Sequence, residues 1–310
     1  MNQSRKITEG ALLLAIFMVI MLLSLFIPIF TILLPIPFIL YAARYDWKPS
    51  ILMFIVAILL AALFTTVFSL PVVILMGLGG MMIGNAIFKN LSAYETLARG
   101  TLGFIIGMLF IFVFTQVVFD VNVMNDMNEI VEQSVSMSND MIEQFGIQGI
   151  QTEELERVIQ LQIELMFDLL PAIMILTVVF LAFLVQWIGY KFINKLYKRK
   201  LRFPPFRKLQ FPSSLLWIYM IVLLFSIIET DHTSTLFVMI QNASLITGTL
   251  MIIQGFSFIF FFAQHKGLPK VIPILAVVFT LFIPILLSFV RILGIIDIGF
   301  KLRERRTKEK

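Results

Sequence analysis

KFINKLYKRKLRFPPFRKLQFP, residues 191–212, carries eight of the chain's 24 basic residues and no acid: Lys191, Lys195, Lys198, Arg199, Lys200, Arg202, Arg207 and Lys208. Long apolar runs flank it on both sides. Basic side chains beside hydrophobic spans resist translocation, so this loop is expected on the cytoplasmic face, and its side orients every other loop. Pro204, Pro205 and Pro212 keep it from forming one continuous helix. Phe203, Phe206 and Phe211 are expected to dip into the membrane interface between the charges. The run Lys198, Arg199, Lys200 either follows topology alone or contacts anionic lipid or an acidic partner.

Composition agrees with a membrane chain. Hydrophobic residues make up 59% of the sequence and charged residues 14%, against about 25% charged in a soluble domain. Apolar runs of about 20 residues recur, the length of one helical crossing, whereas a transmembrane barrel shows short alternating segments. The expected fold is an all-α polytopic bundle of eight to ten spans in a bacterial plasma membrane, N-terminus cytoplasmic. There is no cysteine, and His232 and His265 are the two histidines. Disulfides, thiol chemistry, zinc sites and iron–sulfur clusters are excluded, and no metal or cofactor is expected. The net charge of +5 sits at span ends, where topology explains it without nucleic acid. The N-terminal apolar run is too long for a cleavable leader.

The organisation expected is an N-terminal bundle of about five spans in residues 1–119, an acidic extracytoplasmic segment in 120–168, a second bundle in 169–300 and a basic tail in 301–310. The first span, from about Thr8 to Pro28, places Ala11 and Ala15 four apart on one face, a spacing that permits close helix approach in lipid. That face serves internal packing or a partner subunit. Residues 29–43 contain Pro35 and Pro37 and are short, so they read as the bent second arm of a hairpin. The fourth span holds Gly77, Gly79, Gly80 and Gly84, followed by Asn85. Glycine weakens a helix by about 1 kcal/mol relative to alanine, and in return admits a neighbouring helix or a ligand. Both uses stay open. Residues 120–168 hold eleven of the nineteen acids and one basic residue, Arg157, and are expected outside as two amphipathic helices, forming a lid or a passive cap. Residues 271–300 read either as a hairpin broken near Pro284 or as one span followed by an interfacial helix. Gln241, Asn242 and Gln254 at mid-span are expected to hydrogen-bond neighbouring helices, and Arg291 and Asp297 need protein or interface partners.

The EGALLLA span, the GLGGMMIGN span, FRKLQFPSSLLW, QGFSFIFFF and LGIIDIGFKLR together resemble the YybS-like family of bacterial membrane proteins, over nearly the whole chain. The first half also resembles, more distantly, the substrate-binding S components of energy-coupling-factor transporters. That resemblance implies that Ala11 and Ala15 dock a coupling subunit served by ATPases, and that Gly77, Gly79, Gly80, Gly84 and Asn85 lie near a substrate. The chain is longer than a typical S component, and the acidic insertion is foreign to that pattern.

Three function classes follow. One is substrate binding or transport, energised by a separate complex because the chain has no Walker motif. The second is a membrane scaffold or regulator acting through the basic loop and the acidic outer segment. The third, an intramembrane enzyme, lacks H-E-x-x-H, a G-x-S-x-G elbow and paired intramembrane aspartates, so no enzyme activity is expected.

Overall fold

The computed structural model describes residues 3–119, 129–130, 132–137, 152–229, 231 and 234–303. Every regular element among them is helical. The first part of the chain forms α1 (Gln3–Phe26), a 3-10 turn (Pro28–Leu33), α2 (Pro35–Tyr45), α3 (Trp47–Phe64), α4 (Leu70–Phe88) and α5 (Ala93–Phe119). Then come α6 (Thr152–Asp168), α7 (Leu170–Tyr197), α8 (Ser213–Ile228), α9 (Thr235–His265), α10 (Val271–Phe282) and α11 (Pro284–Phe300). Seven helical stretches are long and apolar enough to cross a membrane, with the 3-10 turn and α2 forming one of them, and α8 and α10 are shorter apolar helices. This is the all-α polytopic membrane architecture that composition implied. Of the acidic segment, α6 is helical, and most of residues 120–151 lie outside the described residues.

The chain forms two compact units. The first comprises residues 1–161 and 175–203, the second 162–174 and 204–310. The greater part of α7 thus belongs with the N-terminal helices.

In the first unit α4 is central: 56% of its apolar window is buried, against 11% for α1 and 17% for α5. α1 and α5 are the least buried apolar helices of this unit. A T-shaped series of Phe17, Phe38 and Phe54 rings joins α1, α2 and α3. The hairpin of α1 and α2 is present. Tyr41 of α2 donates to the Lys6 carbonyl, and Tyr45 donates to Glu9 at 2.5 Å, so the end of α2 returns to the start of α1. α5 begins at Ala93, where Ser92 and Glu95 form a capping box: Ser92 N–H donates to Glu95 at 2.9 Å, and Glu95 N–H to the Ser92 hydroxyl at 3.3 Å.

In the second unit α9 and α11 run parallel. Arg291 lies beside Gly248, Gly294 against Met251, and Asp297 accepts from Gln254; each pair advances three residues along both helices. At the crossing, a Cβ on Gly255 would meet the Val290 carbonyl and one on Gly294 the Met251 carbonyl, so the two backbones touch directly. Between them the chain turns at Gly267 (φ 69°), runs back through α10 and breaks at Ile283. With twelve residues, α10 is about 18 Å long and falls short of the roughly 30 Å hydrocarbon core. Residues 271–300 are therefore a hairpin broken at Pro284 that re-emerges on the side it entered. Two of the mid-span amides, Asn242 and Gln254, bond to neighbours as expected. Asn242 donates to the Asp168 carbonyl and accepts from Ala172 N–H, bridging the break before α7, and Gln254 also accepts from Phe211 N–H.

The loop phenylalanines make ring contacts within the protein, while Phe206 keeps 43% of its surface exposed. Phe203 stacks on Phe183 and Tyr190 in the first unit, and in the second Phe206 meets Phe260 edge-on while Phe211 packs beside Tyr219 and Met251.

Candidate functional site

At one end of the first unit four cations surround a cleft of about 760 Å³, lined by Arg5, Ala43, Arg44, Phe88, Leu196, Tyr197, Lys198 and Arg199. Each cation arrives on a different structural device. Arg5 sits in the first turns of α1, where its Nε pairs with Glu9 at 3.0 Å. Arg44 closes α2; its Nη1 pairs with the other Glu9 oxygen at 2.9 Å, and its guanidinium lies over the rings of Tyr45 and Tyr197 at 5.5 and 5.3 Å. Lys198 ends α7 in the left-handed region, at φ 54°, a conformation that costs a non-glycine residue about 1 kcal/mol. Two reciprocal bonds hold that turn: Leu201 N–H donates to Asn194 Oδ1 and Asn194 Nδ2 to the Leu201 carbonyl, both at 2.8 Å. Arg199 is aimed by the end of α4, where its Nη1 donates to the Ile87 carbonyl at 3.2 Å.

Among the described residues Glu9 is the one carboxylate paired with these cations, and it holds Arg5 and Arg44 together. Among the described residues no carboxylate lies within ion-pair distance of Lys198 or Arg199. The cleft thus carries a charge of about +3 beside the apolar walls of Ala43, Phe88 and Leu196. Stacked, hydrogen-bonded guanidinium groups are preorganised donors for a planar or tetrahedral oxyanion. Of the three loop cations singled out in the sequence, the structure brings Lys198 and Arg199 into the cleft, while Lys200 is exposed and not among its lining residues. Arg5 and Arg44 were not singled out. Their signal was the spacing of Arg5 and Glu9, four apart on one helix, together with the shared side that the charge rule assigns to Arg5, Arg44 and the loop.

The glycines of α4 face three different helices. A Cβ on Gly77 would strike Phe54 of α3, and one on Gly79 would strike Phe104 of α5. One on Gly80 would come within 2.6 Å of the Pro35 carbonyl, and one on Gly84 within 2.6 Å of the Ala42 methyl. Their bare faces are occupied by neighbouring chain. Asn85 is half-buried and its Oδ1 has no hydrogen-bond partner among the described residues. Two further glycines, Gly103 and Gly107 of α5, meet the Leu78 carbonyl and the Leu75 Cα and complete the α4–α5 seam. Ala11 and Ala15 both lie exposed on α1.

The family model for "Predicted membrane protein (DUF2232)" matches residues 15–298. The chain belongs to this DUF2232 family. It is 29% identical over 309 residues to "Uncharacterized protein YybS" of Bacillus subtilis (strain 168), covering 98% of this chain and 99% of that protein. The match spans the α1–α2 hairpin, the glycine-bearing α4, the basic loop and the Pro284 hairpin alike. No solved structure matches the chain.

Proposed function

We propose that this DUF2232 protein is a membrane-embedded binding protein of the bacterial plasma membrane, with its N-terminus and basic loop in the cytoplasm, and that it takes an anionic ligand in the cleft of its first unit. The observation that carries this reading is the convergence of Arg5, Arg44, Lys198 and Arg199 on one cleft of about 760 Å³, with Glu9 as their single paired carboxylate among the described residues. Cations drawn from three separate segments and oriented by Tyr197, Asn194 and the Ile87 carbonyl exceed what topology requires of a loop. A transport role energised by a separate complex is a second reading, supported by the exposure of Ala11 and Ala15 on the lipid-facing side of α1. Small residues there permit close approach of a partner helix.

Gentle purification from native membranes, with mass spectrometry of both small molecules and proteins, tests the two together. The cleft reading expects an anionic compound retained by the wild type and lost from Lys198→Gln/Arg199→Gln. The transport reading expects a coupling subunit and ATPases, lost from Ala11→Leu/Ala15→Leu. The same anionic compound retained by both cleft variant and wild type overturns the first reading.

A further inference from the structure

We propose that Arg291, on the returning arm of the Pro284 hairpin, is the anion-binding residue of a second site, inside the membrane and within the second unit, for the singly charged head of an amphiphile. The inference does not rest on the cleft of the first unit.

Three independent features converge on it. The first is depth. The Arg291 guanidinium lies beside Gly248, which stands thirteen residues after Thr235 and seventeen before His265 along α9. At 1.5 Å per residue that is about 20 and 26 Å from the two helix ends, near the middle of the hydrocarbon layer. The second is lack of compensation. Arg291 Nε is buried with no hydrogen-bond partner, and no carboxylate pairs with Arg291 among the described residues. The acid on the same helix, Asp297, is committed to Arg303 and Gln254. Charges at this depth are costly and are retained where they pair or conduct. The third is shape. Gly248 leaves a bare seat for the guanidinium, 3.5 Å from where a Cβ would stand. α10 and α11 form a broken, re-entrant helix pair, an arrangement tolerated at membrane depth where it is buried in protein or lines a cavity.

The chemistry of the ligand follows from the same features. One guanidinium suits a single negative charge, a carboxylate or a phosphodiester, and its fork is built to take such a group bidentately. Leu287 and Ile295, one helical turn before and after Arg291 on its own face of α11, are apolar and partly exposed, so the approach to the guanidinium along that face is lined by hydrocarbon. A ligand arriving that way carries an apolar tail.

The test uses full-length protein in phosphatidylcholine nanodiscs, with oleate, lysophosphatidylglycerol or uncharged monoolein added at equal mole fraction, and the unfolding midpoint as readout. Binding to the folded state raises the midpoint, by roughly 3 °C or more at saturation, for one or both anions and not for monoolein. Which anion acts identifies a carboxylate or a phosphodiester head. Arg291→Gln should lose the shift. Gly248→Leu, which fills the seat and leaves the charge, should lose it too, whereas Gly248→Ala, at ordinary contact distance, should keep it. Lys200→Gln, which removes an exposed loop cation outside the cleft, should respond as the wild type. Absence of any anion-specific shift in the wild type, or an undiminished shift in Arg291→Gln or Gly248→Leu, overturns the proposal.

Discussion

Arg303 donates from Nε and Nη2 to a single oxygen of Asp297, at 2.8 and 2.7 Å, with Asp297 fully buried and Arg303 nearly so. The same guanidinium reaches the carbonyls of Arg207 and Leu209 at 2.9 and 3.0 Å. Within the second unit this ties the end of α11 to the loop that precedes α8. Breaking one partner of a buried pair leaves an uncompensated charge and costs about 3–5 kcal/mol. Arg303→Ala should therefore lower the denaturation midpoint sharply, and Asp297→Asn/Arg303→Gln should recover part of the loss in a double-mutant cycle. Purely additive effects would show that the pair is not coupled.

The tie also decides the side of the tail. Residues 301–303 end where residues 206–209 lie, so they share the loop's side, and the charge rule predicts that this side is cytoplasmic. The chain contains no cysteine, so single cysteines give a clean assay. In intact cells an impermeant maleimide should spare Lys200→Cys and Lys301→Cys and label Glu229→Cys. Labelling of Lys301→Cys without Lys200→Cys would disprove the re-entrant hairpin.

The spans were legible in the sequence because a bilayer demands an unbroken apolar run for each crossing. The α1–α2 hairpin followed from Pro35, Pro37 and the short length of residues 29–43. The start of α5 was not, because the Ser92–Glu95 box outweighs the charge of Arg99 within the helix. The course of residues 271–300 stayed open because length argued for one crossing and charge for two. The parallel register of α9 and α11 resolves it, and no periodicity in either helix encodes that register. The cleft was half legible. Lys198 and Arg199 stood out in a dense charge run, while Arg5 and Arg44 join them only through tertiary contacts made by Tyr41, Tyr45 and Tyr197. The glycines of α4 were conspicuous, but which neighbour each admits depends on the placement of Phe54, Phe104 and Pro35.

Those placements make a graded prediction. Gly255→Ala and Gly294→Ala each drive a methyl into a backbone carbonyl and should cost at least the 1–3 kcal/mol typical of overpacking. Gly248→Ala, whose nearest neighbour is 3.5 Å away, should be close to neutral. Gly80→Leu should destabilise the first unit through the Pro35 carbonyl. Yield and monodispersity in detergent report the order, and equal behaviour of Gly248→Ala and Gly255→Ala would refute the helix crossing described above.

Glu9 holds two of the four cleft cations. Glu9→Gln removes the negative charge while keeping a hydrogen-bonding side chain for Tyr45 and Arg44. Anion affinity in the cleft should rise several-fold, since one unit charge at about 4 Å is worth roughly 1 kcal/mol even in bulk water. Thermal stability should fall modestly as Arg5 and Arg44 lose their partner. A drop in affinity would mean that Glu9 contacts the ligand itself.

The most direct measurement is a titration of pyrophosphate, a small multivalent oxyanion, into the full-length protein in phosphatidylcholine nanodiscs, repeated at rising salt and with Arg44→Gln/Arg199→Gln. A preorganised cleft of charge about +3 should give saturable binding that weakens steeply with salt and falls at least tenfold in the double variant. Binding of equal strength in the variant, or none in the wild type at low salt, would contradict an anion-binding role for the cleft.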